Sequence, residues 1–296
     1  MKIKYGMIDN LKYGIIHDSQ MIIEFKDRVL GASSIKEGMT EFFASLSLRK
    51  KYLTPEEREK YNIGNAEMFN REIFEYEDLL HTIEKMELPQ GGYYFSRPNN
   101  VEKKTVLPRT PHLLTVYACL HPVDRMMAWT HTMAEMNDSV HKTMKGEMVQ
   151  PKDPLKVYKT IAQQTTQLSK KTFADIDVDI PEVDYSKKTE IAKRIVERIE
   201  RKNKERVKQD VPVSGFFVDT TSGFHLLLFK DSLKCDYMSE SRSTMYTDFD
   251  YAGNMTVEVQ KNKNEMIPLP GTYQPSPHGE RRHPVTMTGI NRLKAL

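Results

Sequence analysis

The spacing of apolar residues changes character along the chain. From Ala174 to Ile180 (ADIDVDI) apolar and acidic residues take turns without exception, the period of two expected of a strand with one buried face. From Lys187 to Gln209 the spacing becomes helical. Ile191, Ile195 and Ile199 form one row with Ala192 and Val196 beside it, the stripe of an amphipathic helix. On its polar face Glu190 and Arg194, Glu197 and Arg201, and Glu200 and Lys204 stand four apart with the acid first, the favourable order. Three strand-like runs follow, at Val213 to Asp219, Gly223 to Lys230 and Thr256 to Gln260. Strand, helix and three strands predict an α/β (α+β) layer, a mostly antiparallel sheet backed by helices.

The first half is patterned differently. Gly14 to Ile16 and Met21 to Phe25 are short apolar runs broken by polar residues, which predicts a hairpin or two strands. From Lys36 to Met86 the spacing is helical, with Met39, Phe42, Phe43 and Leu46 on one face. The TPEE at 54–57 predicts a helix start with Thr54 as cap and Pro55 in the first turn. Leu88 to Asn100 (LPQGGYYFSRPNN) predicts turn, aromatic strand and turn. Residues 112–148 are predicted helical, with Met126, Met127, Met133 and Met136 as core filler. The expected division is a mostly helical N-terminal accessory region over 1–90 and a second domain over 91–296.

Composition narrows the partners only a little. Hydrophobic residues make up 39% and charged residues 29%, with a net charge of +3, so any nucleic acid would be held by a local basic stripe rather than by the average charge. Such clusters occur at Lys103–Lys104, Lys187–Lys188, Arg201 to Lys208 and Arg281–Arg282, and Tyr93 to Phe95 could stack bases. Cys119 and Cys235 lie far apart, with no CxxC spacing, which argues against a structural zinc and a disulfide framework. No signal peptide and no membrane span is visible, and the expected location is the cytoplasm.

Two segments carry candidate chemistry. Asp175, Asp177 and Asp179 occupy alternate strand positions, so three carboxylates line one face about 6–7 Å apart. Unneutralised they repel, and a hard cation such as Mg²⁺ or Mn²⁺ would relieve that cost. The second segment is VDTTSGFHLLLF at 218–229, where Thr220, Thr221, Ser222 and Gly223 are turn residues and His225 opens an apolar strand. Such a turn offers N–H groups and hydroxyls to a phosphate.

Taken in order, FADIDVD at 173–179, SGFH at 222–225 and TVEVQKNKNEMIPLPGTY at 256–273 resemble the archaeal and eukaryotic primase (primase-polymerase) superfamily. The absence of the cellular members' metal-binding cysteines points to its compact plasmid and viral type. The resemblance covers roughly 90–290, is clearest from 170 onward, and implies a primase-polymerase-like core with an RRM-like module at about 170–290. It implies a DNA primase or polymerase that takes nucleoside triphosphates on a single-stranded template by a two-metal mechanism with Mg²⁺ or Mn²⁺, in replication or repair of a plasmid, virus or mobile element. A helicase or accessory replication subunit would act beside it, and the host cytoplasm would be the location in a viral setting.

The resemblance makes Asp175 and Asp177 the metal-binding pair, and Ser222, Gly223 and His225 the nucleotide contacts. The usual third acid falls on Thr256, so Glu258, two residues on, takes that role, with Asp248 or Asp250 as the alternative. The turn lacks the family's basic residues, and Tyr273 and Gln274 stand where a histidine often follows the PGT-like segment. Arg281 and Arg282 are then candidates for the missing positive charge, and Arg97 is a further one. Two other readings remain open: a metal-dependent glycosyltransferase using the DxD strand, or a primase-like replication or defence protein without catalysis.

Overall fold

A computed structural model describes residues 3–4, 15–56, 58, 66–88, 93–97, 100–107, 113–147, 152–166, 171–180, 182–235, 256–259, 266–275 and 282–295. It is a mixture of helices and antiparallel sheet, as the α+β expectation has it. The acidic strand Phe173–Asp179, the long helix Lys188–Val207 and the strands Gly215–Asp219, Gly223–Phe229 and Thr256–Val259 fall where the spacing predicted them.

A five-stranded central sheet has the spatial order 256–259, 173–179, 223–229, 215–219, 286–289, with every neighbour antiparallel. One face carries Ile176, Val178, Phe217, Phe224, Leu226 and Leu228 and packs on Ile191, Ile195 and Ile199 of the long helix. The opposite face carries Phe173, Phe216, Val218, Leu227 and Met287, which share a second core with another sheet. That second sheet has the order 266–268, 114–119, 41–49, 66–75. The PGT-like segment stitches the two sheets together, since 256–259 pairs with the acidic strand and 266–268 with Leu114–Cys119. Gly271 (φ +89°) lets that segment close on the helix starting at Ser19, for a Cβ there would sit 2.4 Å from the Asp18 carbonyl oxygen.

The helix expected from Lys36 to Met86 is corrected, while 19–37 just before it is helical. Glu41–Arg49 and Ala66–Glu75 are paired strands. Phe42, Phe43 and Leu46 mimic helical spacing because Glu41–Arg49 is buried on both faces, which hides the alternation of a half-exposed strand. Its even positions enter the shared core, while Phe43 meets the outer helices Arg125–Met144 and Pro154–Thr165. Among the described residues from Lys36 to Met86, helix flanks these strands, as in Leu79–Lys85 and the turn where Arg58 N–H reaches the Thr54 carbonyl.

The hairpin expected over Met21 to Phe25 is also corrected: Ser19–Phe25 is a helix, capped by Asp18 Oδ1 accepting from the Met21 N–H at 3.0 Å, with Ile22 and Phe25 buried three apart. Within 112–148, Leu114–Cys119 is a fully buried strand and only Arg125–Met144 is helical. The methionines of that helix are not core filler. Ala128 and Thr132 are its buried residues, while Met126 and Met133 are exposed and Met127 and Met136 half-buried. Among the described residues, no helix is long and apolar enough to cross a membrane.

Candidate active site

The acidic strand descends from solvent into the core. Asp179 keeps 57% of its side chain exposed and Asp177 29%, while Asp175 is buried. The adjacent strand places Gly223 opposite Asp179, His225 opposite Asp177 and Leu227 opposite Asp175. Facing positions in an antiparallel pair share a face, so His225 joins the carboxylates. Its Nδ1 lies 3.0 and 3.2 Å from the two oxygens of Asp175, and its Nε2 lies 3.6 Å from Asp177 Oδ1.

Burial pulls the imidazole down. The charges of Asp177 and Asp175 and the hydrogen bond to Asp175 outweigh that and push it up to about 9. At neutral pH an imidazolium is therefore clasped between two carboxylates. His225, which the resemblance puts on the triphosphate, is placed by the structure on the acids themselves.

The Ser222–Gly223 turn sits at the open end of this row. A Cβ on Gly223 would fall 1.8 Å from the Val178 carbonyl oxygen, so only glycine lets the two strands meet there. Ser222 Oγ donates to Asp179 Oδ1 at 3.1 Å. Three anchors hold the turn. Lys188, buried at the start of the long helix, donates to Asp219 Oδ1 at 2.8 Å, to the Thr220 carbonyl and to the Thr221 carbonyl at 3.4 Å. Gln274 accepts from the Thr221 N–H at 2.8 Å and donates to the Tyr52 hydroxyl at 2.5 Å, all within the core. Thr221 Oγ1 donates to the Pro275 carbonyl at 3.0 Å. Burial pushes the Asp219 carboxyl up, but His283 and Lys188 prevail and hold it below its ordinary value.

Two cations that sequence reasoning missed complete the mouth: Arg49 ends the strand Glu41–Arg49 of the second sheet, and Lys51 lies in the turn Lys50–Tyr52 that follows it. Lys51 Nζ donates to Ser222 Oγ at 3.0 Å and stands 3.8 Å from Asp179 Oδ1. Burial lowers its pKa, an effect that Asp179 opposes. Arg49 is held above its ordinary value chiefly by the Tyr117 phenol beside it, with Asp177 contributing. The only signal in the sequence was the basic run RKK at 49–51, more than a hundred residues before the acidic strand.

Of the remaining candidates, Glu258 occupies the register position opposite Asp177 on the other side of the acidic strand, and Thr256 the one opposite Asp179. Arg282 lies on the strand paired with Tyr273–Pro275, its guanidinium 4.7 Å from the centre of the Tyr273 ring. Arg281, Asp248 and Asp250 lie outside the described residues, as do the side chains of Thr256 and Glu258, of Tyr93 to Arg97 and of Lys103 and Lys104.

Among the described residues, no group of three or more histidines, cysteines, aspartates and glutamates is arranged to hold a metal ion. The donor chemistry nevertheless suits a hard cation at Asp175 and Asp177. Each carboxylate offers about four lone-pair sites, so Asp175 can accept from His225 and still ligate. Comparison with known proteins adds nothing to this geometry: no family model, no curated protein and no solved structure matches the chain.

Proposed function

We propose that the chain is a metal-dependent nucleotidyltransferase of the primase-polymerase kind, extending a 3′-hydroxyl on a single-stranded template. The observation carrying this reading is the convergence of Asp175, Asp177, His225, Ser222 and Lys51 at one end of one sheet face. The strand order also supports it. Counted along the chain from Phe173, the four strands from 256–259 to 215–219 run fourth, first, third, second, the arrangement of the RRM-like module the resemblance implies.

In this reading Asp175 and Asp177, with Glu258 in the facing register position, hold Mg²⁺ or Mn²⁺. Two such ions would divide the work, one lowering the pKa of the attacking hydroxyl and the other binding the triphosphate. The chain's own residues do the rest. His225 grips both carboxylates and fixes their orientation. Lys51 and the Ser222 hydroxyl offer a cation and a donor at the mouth, supplying from the turn after Glu41–Arg49 the positive charge that the Ser-Gly turn lacks. Arg49 adds a second cation, near enough to Asp177 for the two charges to interact. The 3′-hydroxyl gives its proton to solvent, its oxygen attacks the α-phosphorus, and the bond to the bridging oxygen breaks, releasing pyrophosphate.

The test is labelled nucleotide incorporation on single-stranded template with Mg²⁺ or Mn²⁺, with and without primer. Asp175→Ala and Asp177→Ala are expected to lose incorporation by at least about a hundredfold, as removal of a metal ligand should, while keeping a native melt. Full activity in either variant refutes the assignment. A non-catalytic primase-like protein is favoured by one observation: His225 already neutralises the acidic row without an ion. That reading predicts no incorporation by the wild-type chain under any of these conditions.

A further inference from the structure

The helix Arg125–Met144 exposes an apolar stripe along its whole length. Met126, Trp129, Met133 and Val140 are exposed at 78%, 44%, 56% and 57%, Met144 at 81%, and the half-buried Met136 lies between them. The steps of three, four, three, four and four residues are those of a seam facing another helix. At 3.6 residues per turn these six positions fall within an arc of about 80°. The buried Ala128 and Thr132, which face the helix Pro154–Thr165 and the second sheet, lie outside that arc. The intramolecular contact along the stripe is the stacking of Trp129 on Tyr158, 4.2 Å between ring centres.

We infer that this stripe is the contact surface between two copies of the chain, packed antiparallel about a two-fold axis near residues 134 and 135. Three observations favour a second copy over a foreign helix. The first is size matching. A two-fold at that point sets Trp129 against Val140 and Met133 against Met136, so the bulkiest side chain meets the smallest of the stripe and the layers interdigitate. A parallel pairing would force Trp129 against Trp129.

The second observation is charge. The positions flanking the stripe are Thr130, Thr132, Asn137, Ser139, His141 and Thr143, so self-association brings no carboxylates or ammonium groups together. The one charge beside the stripe, Arg125, is bonded to Glu41 of its own chain at 3.2 Å, and the antiparallel pairing also opposes the helix dipoles. The third is area. The exposed side chains amount to about 600 Å² per copy, hence about 1,200 Å² across the pair, the lower bound of specific interfaces. An interface at that lower bound belongs with the weak, transient class, so its association is sought in the micromolar range.

Trp129 is the chain's sole tryptophan, so the interface carries its own reporter. Sedimentation from about 1 to 100 µM, the range such an interface demands, is expected to show the mass rising from 34.4 kDa to twice that value. Trp129 emission should shift to the blue over the same range. Met133→Glu and Val140→Asp alter exposed side chains that no core residue depends on. Both are expected to hold the chain at 34.4 kDa with red-shifted, concentration-independent emission. A wild-type monomer at every concentration overturns the inference and leaves the stripe to another protein's helix. A dimer that survives both substitutions overturns it equally, because the contact then lies elsewhere.

Discussion

Lys188→Met replaces a buried ammonium by a side chain of similar length and strands everything the ammonium was bonded to. Lys188 keeps 8% of its side chain exposed and Asp219 29%, so the pair is genuinely desolvated. Breaking a buried pair by removing one partner costs about 3–5 kcal/mol. Here the lower figure applies, because Asp219 retains some water and has His283 3.6 Å away. Two carbonyls, of Thr220 and Thr221, also lose a donor. A loss of about 3 kcal/mol corresponds to a melting temperature lower by roughly 5 °C for a chain of this size.

Thermal unfolding followed by circular dichroism at pH 7 measures that shift. Lys188→Met/Asp219→Asn removes the stranded carboxylate as well, and should recover about 1–2 kcal/mol relative to the single variant. Asp219 titrates below its ordinary value in the folded chain. Its pairing therefore contributes fully above about pH 4 and is lost as pH falls through the folded value, so the acid limb of the stability profile should be shallower in Lys188→Met. A melt within about 1 °C of wild type, or a double variant as unstable as the sum of the two singles, would refute the role assigned to this lysine.

Two further outcomes follow from the same geometry. In metal-free buffer the His225 pairing is complete below the ordinary histidine value of 6.5 and is lost as pH rises through about 9. That difference of about 2.5 units corresponds to about 3 kcal/mol, so the wild-type melt should fall between pH 7 and 10 while that of His225→Gln stays nearly flat. Lys51→Ala removes the charged donor at Ser222; steady-state incorporation should show KM for the nucleotide raised about ten- to a hundredfold with kcat little changed, the loss of a hydrogen bond to a charged group, and an unchanged KM would exclude Lys51 from the nucleotide site.

The residues that were legible in the sequence are those whose environment is one-sided. The acidic strand alternates because one face packs on the long helix while the other, though it meets the second core at Phe173, carries the carboxylates of the site. The long helix shows its stripe because the opposite face is wet. Glu41–Arg49 was not legible, since burial on both sides erases the period of two and leaves Phe42, Phe43 and Leu46 looking helical. The methionines of Arg125–Met144 follow the same logic in reverse: apolar spacing marks a face that wants covering, but does not say whether the chain itself covers it. Asp175, Asp177 and His225 could be brought together on paper because they lie on strands close in sequence. Lys51 and Arg49 could not, because only the pairing of the second sheet and the Gln274–Tyr52 bond carry them to the mouth. Gln274 itself looked like a departure from a pattern, and its role as the link between the Ser-Gly turn and Tyr52 is visible only in three dimensions.

The most direct measurement is a Mn²⁺ titration followed by electron paramagnetic resonance, run on wild type and Asp177→Asn with and without a non-hydrolysable nucleoside triphosphate. The account predicts that wild type takes up Mn²⁺, that the nucleotide tightens the binding, and that Asp177→Asn weakens it at least about tenfold, the loss of one carboxylate ligand. Equal Mn²⁺ affinity in the two proteins, nucleotide present or absent, would contradict it.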